Sequence, residues 1–334
     1  MQPIISATDV GKTFRQLKRL PGLGGALKSL VSRDYTEIRA VNGVSFAIQP
    51  GEAVGYLGPN GAGKSTMIKM MTGILTPSAG TLSVLGREPH ANRVANARQI
   101  GVVFGQRSQL WWDLPVRDSF SLNRHIYDIP EPRFAANLAY LTKMLDMGAY
   151  LDRPVRQLSL GQRMRAEIAL SLLHEPKILF LDEPTIGLDV VAKDAVRKFL
   201  AEVNRERGTT IILTTHDLVD IEEICPRLIM VDDGQLLFDG ELQHLRTTLG
   251  SRRRLKLEFA TDPGPIPLTT ATLASDEGAA KHYLLEDESI SLIDILNEVG
   301  RGHGLKDVKL EEPDIEEVIR TFYQNKTRLA DAAP

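Results

Sequence analysis

Residues 58–65, GPNGAGKS, place three glycines, a lysine and a serine at a spacing that suits a bound phosphate chain. Glycines let the backbone turn tightly and aim its N–H groups at phosphate oxygens. Lys64 should reach the β- and γ-phosphates, and the Ser65 hydroxyl should bind Mg²⁺. The positions assigned to nucleotide binding in this loop are Gly58, Pro59, Asn60, Gly61, Ala62, Gly63, Lys64, Ser65 and Thr66.

A second segment, KILFLDEP at residues 177–184, ends in two adjacent acids. Its four consecutive apolar residues favour a parallel strand that is buried on both faces. Such a strand delivers Asp182 and Glu183 to its carboxyl end, where α/β sheets bind ligands. We expect Asp182 to bind Mg²⁺ through water, and Glu183 to be the base that orients and polarises the attacking water.

These residues need a strand before the phosphate loop and a helix after it. The apolar segment AVGYL precedes the loop, and an apolar helical pattern begins near Lys64. The N-terminus of that helix adds the positive end of its dipole to the site. The sequence therefore predicts an α/β nucleotide-binding domain.

Three further polar features follow in a fixed order along the chain. Gln106 ends the predicted strand IGVVFGQ, LSLGQ occupies residues 158–162, and His216 ends the predicted strand TIILTTH. Each is weak alone, because a lone histidine at a strand end is usually a polar cap. In this order, and with GLD at residues 187–189, they resemble the ATPases of ABC transporters. The resemblance covers about residues 4–245.

The resemblance implies an ABC-type P-loop NTPase fold that binds and hydrolyses ATP with Mg²⁺. It also implies an antiparallel β subdomain and a helical subdomain at about residues 107–157. We expect the ATPase domain to span residues 1–248 and a small α+β domain to span residues 249–334.

In that family two ATPase domains pair head to tail, and each ATP lies between one phosphate loop and the partner's signature loop. Carried onto this chain, the signature residues would face a γ-phosphate bound in the other protomer. Residue 160 is leucine where the family has glycine, and we expect function to survive this change. The signature residues are Ser159, Leu160, Gly161 and Gln162.

The resemblance assigns roles to three more residues. Asp189 would cross the dimer interface and couple the two sites. His216 would hold the γ-phosphate, and Gln106 would bind Mg²⁺ and report the nucleotide state. The predicted catalytic set is therefore Glu183, His216 and Gln106.

The adenine ring needs an aromatic platform, and two residues compete for that role. The family stacks the base on an aromatic residue at the end of its first strand, which here is Phe14 in VGKTF. Tyr35, near the far end of an insert, is the alternative. Stacking contributes on the order of 1–3 kcal/mol, so a chain with no good platform is also possible.

The composition of the 334 residues is that of an ordinary globular protein with a net charge of −3. This charge gives no general attraction to nucleic acid, and we expect no nucleic-acid partner. Cys225 is the only cysteine, and we expect a buried, inert thiol. The chain lacks a signal-peptide pattern and an apolar run of roughly 20 residues, so we expect a cytosolic protein.

Residues after 248 change in composition. RLKLEFA predicts a strand, TDPGPIPLTTATLASDEG a loop-rich connection, SLIDILNEVG a helix and LKDVKLEE another strand. PDIEEVIRTFY predicts a closing helix with its apolar residues on one face. A dimer-stabilising or core-completing role is favoured here over ligand sensing.

Residues 15–40 form a basic insert between the first two predicted strands. Leu20, Leu23, Leu27 and Leu30 follow helical spacing, whereas PGLGG breaks any long helix, so we expect one short helix at about residues 25–32. The insert is either a solvated loop or a gate that faces a membrane or permease, since polysaccharide exporters of the same broad type carry a comparable insert. Nucleic-acid binding is disfavoured because few aromatic residues accompany its basic ones.

A membrane partner is implied, because the family mostly powers transport and this sequence offers no spanning segment. We expect an integral membrane permease and a second ATPase subunit, either another copy or a paralogue, at the cytoplasmic side of the cell membrane. Trp111 and Trp112 follow the Gln loop, where the family receives its permease. Adjacent tryptophans cannot both face one core in a strand, so at least one could be exposed for that partner.

The resemblance is strongest to type-2 exporters of the multidrug or viologen type. It depends on FGQRSQLWWDLPV, DEPTIGLDVVAKD, the insert and the C-terminal region together, and it implies export of a drug, lipid-like or other amphipathic cargo. An importer subunit is the first alternative. A non-transport ABC ATPase that acts on DNA or ribosomes is the second, but the chain lacks a second cassette, long heptads and a cysteine-rich zinc insert.

Overall fold

The computed structural model divides the chain into two compact units, Met1–Leu242 and Gln243–Pro334. The division that the sequence predicts lies slightly later, after residue 248. The residues that the structure describes are 2–17, 35–105, 107–248, 253–285, 290–300, 303–311, 315–316, 318–320 and 322–323.

The first unit contains two β-sheets with helices around them. Its strands are β1 (Ile5–Leu17), β2 (Tyr35–Ile48), β3 (Ala53–Leu57), β4 (Ala79–Val84), β5 (Ile100–Phe104), β6 (Ile178–Asp182), β7 (Thr210–Thr214), β8 (Arg227–Asp232) and β9 (Gln235–Glu241). Its described helices are α1 (Lys64–Met71), α2 (Arg93–Ala97), α3 (Val116–Ile126), α4 (Glu131–Met144), α5 (Leu160–Leu172), α6 (Val190–Arg207) and α7 (Leu218–Ile224). A further helix, α8 (Leu242–Thr248), begins at the last residue of this unit.

The larger sheet has the strand order β5-β6-β7-β3-β8-β9. All of its neighbouring strands are parallel except β8 and β9, which are antiparallel. Every residue of β3 and β7 is buried, as the apolar runs of a two-sided parallel sheet require. Since β6, β7 and β3 are adjacent, the residues that follow their carboxyl ends meet at one edge of the sheet.

The smaller sheet is antiparallel, with the order β2-β1-β4. The β1–β2 hairpin pairs from Ile5 opposite Ile48 as far as Leu17 opposite Tyr35. Residues 15–17 and 35–40, which we assigned to the insert, are therefore paired strand. The helix predicted at residues 25–32 lies outside the described residues. Together with the P-loop sheet, this arrangement confirms the predicted fold class.

The segment between β5 and α5 is helical, as predicted. It contains α3, α4 and a short 3₁₀ helix at Val155–Gln157. None of the helices in the described ranges is both long and apolar enough to cross a membrane.

The second unit is built on a four-stranded antiparallel sheet of order β11-β12-β10-β13, and the helix α9 shares its core. Ile295 and Val299 of α9 are buried with the inward residues of β10. Ile315, Val318 and Ile319 of the predicted closing helix are also buried. The elements are β10 (Arg254–Phe259), β11 (Ala271–Glu277), β12 (Ala280–Leu285), α9 (Leu292–Val299) and β13 (Leu305–Glu311).

Two strands of this unit differ from the prediction made from the sequence. Residues 271–277 were assigned to that connection but form β11, an edge strand with six of its seven residues exposed. Backbone pairing with β12 holds this strand. Because neither of its faces is buried, its sequence does not alternate between polar and apolar residues. β12 was not predicted at all, because Lys281 takes a buried position whose charge Asp276 and Asp262 neutralise.

His174, just after α5, joins that helix to β5 and to the end of α3. Its Nε2 atom lies 3.0 Å from the carbonyl oxygen of Ile100, and its ring stacks on Tyr127 with the centroids 4.0 Å apart. Burial lowers the pKa of His174 to about 4. The histidine must therefore be neutral in the folded protein.

The unfolded state binds a proton on this histidine below its ordinary pKa of 6.5, whereas the folded state does so only near pH 4. Stability should fall as the pH falls through this window, by up to about 3 kcal/mol. In urea denaturation, His174→Gln should lose less stability than the wild type between pH 6.5 and 4. The exposed His125→Gln should follow the wild type, and an identical pH dependence in all three proteins would contradict the prediction.

Candidate functional site

The phosphate loop joins β3 to α1, as predicted. Gly63 ends the loop with φ 94°, and a Cβ atom at this position would lie 2.2 Å from the carbonyl oxygen of Ala40. Only glycine fits both the backbone conformation and this close approach. The loop is thus pressed against β2, with the N-terminus of α1 facing the ligand side.

Lys64 is the first residue of α1 and is 8% exposed. Its Nζ atom donates hydrogen bonds to the carbonyl oxygens of Gly58 at 2.6 Å and Pro59 at 3.1 Å. Burial lowers the pKa of Lys64, while the charges of Glu183 and Asp182 act in the opposite direction. The ammonium group is held by neutral carbonyls, so incoming phosphate oxygens can take over its hydrogen bonds.

Asp182 ends β6, next to the phosphate loop. Its Oδ1 atom accepts hydrogen bonds from Thr214 Oγ1 at 2.5 Å and from Ser65 Oγ at 3.5 Å. Hard oxygen atoms from one carboxylate and one hydroxyl fit Mg²⁺, which typically completes its shell with water and substrate phosphates. No cluster of three or more His, Cys, Asp or Glu side chains among the described residues could hold a metal without such phosphates.

Glu183 and His216 face each other across the ends of β6 and β7. His216 Nε2 lies 3.0 Å from Glu183 Oε1. Glu183 has φ 58°, a left-handed conformation that usually costs a non-glycine residue about 1–3 kcal/mol. Burial raises the pKa of Glu183, although His216 and Lys64 oppose this shift. A carboxylate with a raised pKa, held on a strained backbone, is suited to act as a base.

His216 was predicted to end its strand, but β7 ends at Thr214. The two residues Thr215 and His216 leave the sheet instead. The imidazole of His216 thus reaches Glu183 from the segment after β7, not from the strand itself.

A buried ionic network holds the two loops that carry these side chains. Asp220, on α7, is fully buried and accepts a hydrogen bond from Thr215 Oγ1 at 2.9 Å and another from Thr185. Arg197 Nε of α6 donates to Asp220 Oδ1 at 2.5 Å. Thr185 follows Glu183 and Thr215 precedes His216, so one carboxylate fixes both loops. Sequence reasoning missed this network because its members are far apart along the chain.

The signature residues open α5. Ser159 is the N-cap, and it forms a capping box with Gln162, with Gln162 N donating to Ser159 Oγ at 3.2 Å. Leu160 is 38% exposed, and its Cδ2 atom lies only 2.8 Å from where a Cβ atom of Gly187 would be. Asp189 caps α6 by accepting a hydrogen bond from Ala192 N at 2.8 Å.

The phosphate loop, β6 and the segment after β7 surround one cleft of about 620 Å³. This volume lies in the usual range of small-molecule sites, roughly 300–1,000 Å³. The cleft contains Lys64, Ser65, Asp182, Glu183 and His216, but none of the signature residues, Asp189 or Phe14. It is lined by Ala40, Asn60, Gly61, Gly63, Lys64, Ser65, Thr66, Lys69, Ile74, Phe104, Gly105, Arg107, Asp182, Glu183, Ile186 and His216.

Several residues that the sequence assigns to the site do not line this cleft, and one of them lies outside the residues that the structure describes. Phe14 lies on β1, 37% exposed, with Lys12 Nζ 5.4 Å from its ring centroid, and Tyr35 is 47% exposed at the start of β2. Gln106 lies outside the described residues. Trp111 and Trp112 are both exposed, at 57% and 54%.

Cys225 is buried at the end of α7. Burial raises the pKa of its thiol, and the nearby charge of Asp220 adds to that shift. The thiol is therefore protonated and inert, as expected.

Residues 41–186 match a family model described as ABC transporter. The chain is 31% identical over 242 residues to the ABC transporter ATP-binding protein NatA of Bacillus subtilis, covering 72% of this chain and 91% of NatA. It is 37% identical over 214 residues to the Nod factor export ATP-binding protein I of Burkholderia pseudomallei, covering 63% of this chain and 68% of the relative. The solved structure of cbiO1 from Clostridium perfringens, part of the ABC transporter complex cbiONQ, is 27% identical with a TM-score of 0.60, covering 74% of this chain and 92% of cbiO1.

The Asp220 network yields a stability test. Asp220→Asn keeps the side-chain shape but removes the fully buried counter-ion of Arg197, which then keeps only its pairing with Asp217 at 3.1 Å and Glu223 at 3.9 Å. We expect this variant to lower the free energy of unfolding by roughly 1.5–3 kcal/mol, the usual worth of a hydrogen bond to a charged group. Asp194→Asn, which breaks the exposed pair with Lys198, should lower it by less than about 1 kcal/mol. Equal losses of unfolding free energy in the two variants, measured by urea denaturation, would show that Asp220 does not hold the two loops.

Proposed function

The chain belongs to the ATP-binding proteins of ABC transporters and hydrolyses ATP, and we propose that it powers a membrane exporter through a separate permease. The observation that carries the ATP-hydrolysing part of this proposal is the cleft that holds Lys64, Ser65, Asp182, Glu183 and His216 together. A phosphate loop, two acids and a histidine at adjacent strand ends supply the groups that phosphoryl transfer needs.

Binding begins at the phosphate loop. The loop amides and the N-terminus of α1 face the phosphate chain, and Lys64 Nζ moves from the carbonyls of Gly58 and Pro59 to the phosphate oxygens. Ser65 and Asp182 would hold Mg²⁺, which neutralises charge on the β- and γ-phosphates when bound. Thr214 keeps the Asp182 carboxylate oriented by its hydrogen bond.

Hydrolysis depends on Glu183 and His216, which lie beyond the ends of β6 and β7. Glu183 orients the attacking water and polarises it toward the γ-phosphorus. His216, 3.0 Å from Glu183, holds a γ-phosphate oxygen and fixes the carboxylate. Positioning and charge neutralisation, rather than covalent chemistry, then accelerate the reaction.

A second ATPase subunit, either another copy or a paralogue, completes the site. The signature residues do not line this chain's own cleft. Ser159 nevertheless caps a helix of 13 residues, and the positive end of that helix suits a γ-phosphate presented by a partner. Asp189 opens α6 beside it and would couple the two sites. Phe14 remains our candidate for the adenine platform, and Gln106 our candidate for a further magnesium contact beside Ser65 and Asp182.

Export is favoured by the relatives, one of which is named for Nod factor export. The exposed Trp111 and Trp112 offer an aromatic surface to an integral membrane permease. We therefore place the chain at the cytoplasmic side of the cell membrane, held there by its partner. A drug, lipid-like or other amphipathic molecule is the proposed cargo of a type-2 exporter.

The catalytic assignment is tested by Glu183→Gln. This change removes the base but keeps the side-chain volume, so kcat for ATP hydrolysis should fall by at least about 100-fold. The Kd for ATP, measured by equilibrium dialysis, should stay within about threefold of the wild type, since the phosphate loop is untouched. Glu175→Gln, which changes an exposed glutamate outside the cleft, should leave phosphate release unchanged. Near-normal hydrolysis by Glu183→Gln would remove Glu183 from the mechanism.

The transport assignment is tested by purification from detergent-solubilised membranes. We expect the tagged chain to bring with it an integral membrane protein. Trp111→Ala together with Trp112→Ala should weaken this association without changing the Kd for ATP. Recovery only with ribosomes or DNA would refute transport, and a permease with an importer fold would refute export.

A further inference from the structure

Glu167 is an acid in the middle of a buried helix face. It lies on α5, the helix that Ser159 caps, and is 4% exposed. The neighbouring Ala166, Ile168 and Ala169 are fully buried and apolar. A carboxylate at such a position needs hydrogen-bond donors, because an unpaired buried charge is strongly unfavourable.

The donors come from the segment that follows Gln106. Ser108 Oγ donates to Glu167 Oε1. The backbone N–H of Gln109 donates to both carboxylate oxygens, at 3.0 and 3.1 Å, and Leu110 N lies 3.4 Å from Oε1. One carboxylate therefore binds three successive residues, 108–110.

The same segment leads directly to the two tryptophans. We call residues 107–114 the Trp loop. The backbone N–H of Trp111 donates to Ser119 Oγ of α3 at 3.1 Å, and the carbonyl of Trp112 accepts from Arg156 N at 3.0 Å. Arg156 lies three residues before Ser159. The Trp loop is thus attached on both sides of the signature segment, to the 3₁₀ helix before it and to α5 after it.

The stability of the fold does not account for this glutamate. Burial raises the pKa of Glu167, even though the bonds from Ser108, Gln109 and Leu110 act against that shift. Keeping the carboxylate charged inside the protein therefore lowers stability relative to an exposed one. Such a residue is better explained by what it positions than by what it stabilises.

We infer that Glu167 is a positioning residue that couples the Trp loop to α5. When the signature segment at the start of α5 is displaced, the Trp loop moves with it and carries Trp111 and Trp112 along. This inference rests on the proposed function, in which ATP acts at the signature segment and a membrane permease contacts the tryptophans. Glu167 itself contacts neither ATP nor the attacking water. Its effect passes through the three residues that it binds.

The chain contains two tryptophans, and both lie in the Trp loop, so tryptophan emission reports on this loop alone. The variants are Glu167→Gln, Glu167→Leu and Ser108→Ala, with the exposed Glu206→Gln as the matched carboxylate-to-amide control. Amide hydrogen exchange of residues 107–114 is measured first, without nucleotide. Tryptophan emission is then recorded with and without ATP in a Glu183→Gln background, while equilibrium dialysis gives the Kd for ATP.

We expect exchange in residues 107–114 to be roughly tenfold faster in the Glu167 variants, since a hydrogen bond to a charged group is lost. ATP should change the tryptophan emission of the background and of the control, and this change should disappear in the Glu167 variants while the Kd for ATP is kept. Ser108→Ala should give an intermediate result. If Glu167→Leu does not fold, Glu167→Gln and Ser108→Ala decide the question.

The inference is overturned by unchanged exchange in both Glu167 variants, by an ATP-induced emission change that persists in them, or by the lack of such a change in the background that binds ATP. A protein that does not bind ATP at all would instead refute the proposed function. The exchange comparison without nucleotide would still test Glu167 in that case.

Discussion

The adjacency of β6, β7 and β3 is the constraint on which the rest of the structure depends. Three parallel strands with fully or almost fully buried residues must end at the same edge of the sheet. That edge brings Asp182, Thr214 and the phosphate loop within hydrogen-bonding distance, although more than 100 residues separate the acid from the loop. The hydrogen bonds of Asp182 to Thr214 and Ser65 are the direct result.

Buried acids complete the arrangement around that edge. Asp220 binds the residues beside Glu183 and His216, and Glu167 binds the segment beside the tryptophans. In each case one carboxylate inside the protein accepts hydrogen bonds from loop residues, and Asp220 also accepts one from Arg197 of α6. A buried charge must be satisfied almost completely, so it specifies the position of those segments more strictly than apolar packing could.

The sequence predicts this molecule well wherever local rules decide the outcome. The phosphate loop, β6 and the helix opened by Ser159 follow from glycine spacing, a buried apolar run and a capping pattern. Prediction failed where a partner strand or a distant charge decides. β11 buries only Ala271 and is held by its pairing with β12. Lys281 of β12 has the residue type of a surface position, but it is buried and two aspartates neutralise its charge. The Asp220 network could not be predicted from the sequence for the same reason, because Arg197, Thr185 and Thr215 become neighbours only in the folded chain.

The close contact between Gly63 and Ala40 has a mechanical consequence. Ala40 belongs to β2, which is paired without a break in register from Thr13 opposite Arg39 to Leu17 opposite Tyr35. A strand of five residues from Tyr35 to Arg39 spans roughly 17 Å at the usual rise of about 3.3 Å per residue. Ala40 lies where the register shifts, between Val41 opposite Lys12 and Arg39 opposite Thr13. Its carbonyl oxygen lies 2.2 Å from where a Cβ atom of Gly63 would be, so the hairpin contacts the phosphate loop at this point. The conformation of the phosphate loop therefore depends on the antiparallel sheet that contains β2 as well as on the larger parallel sheet.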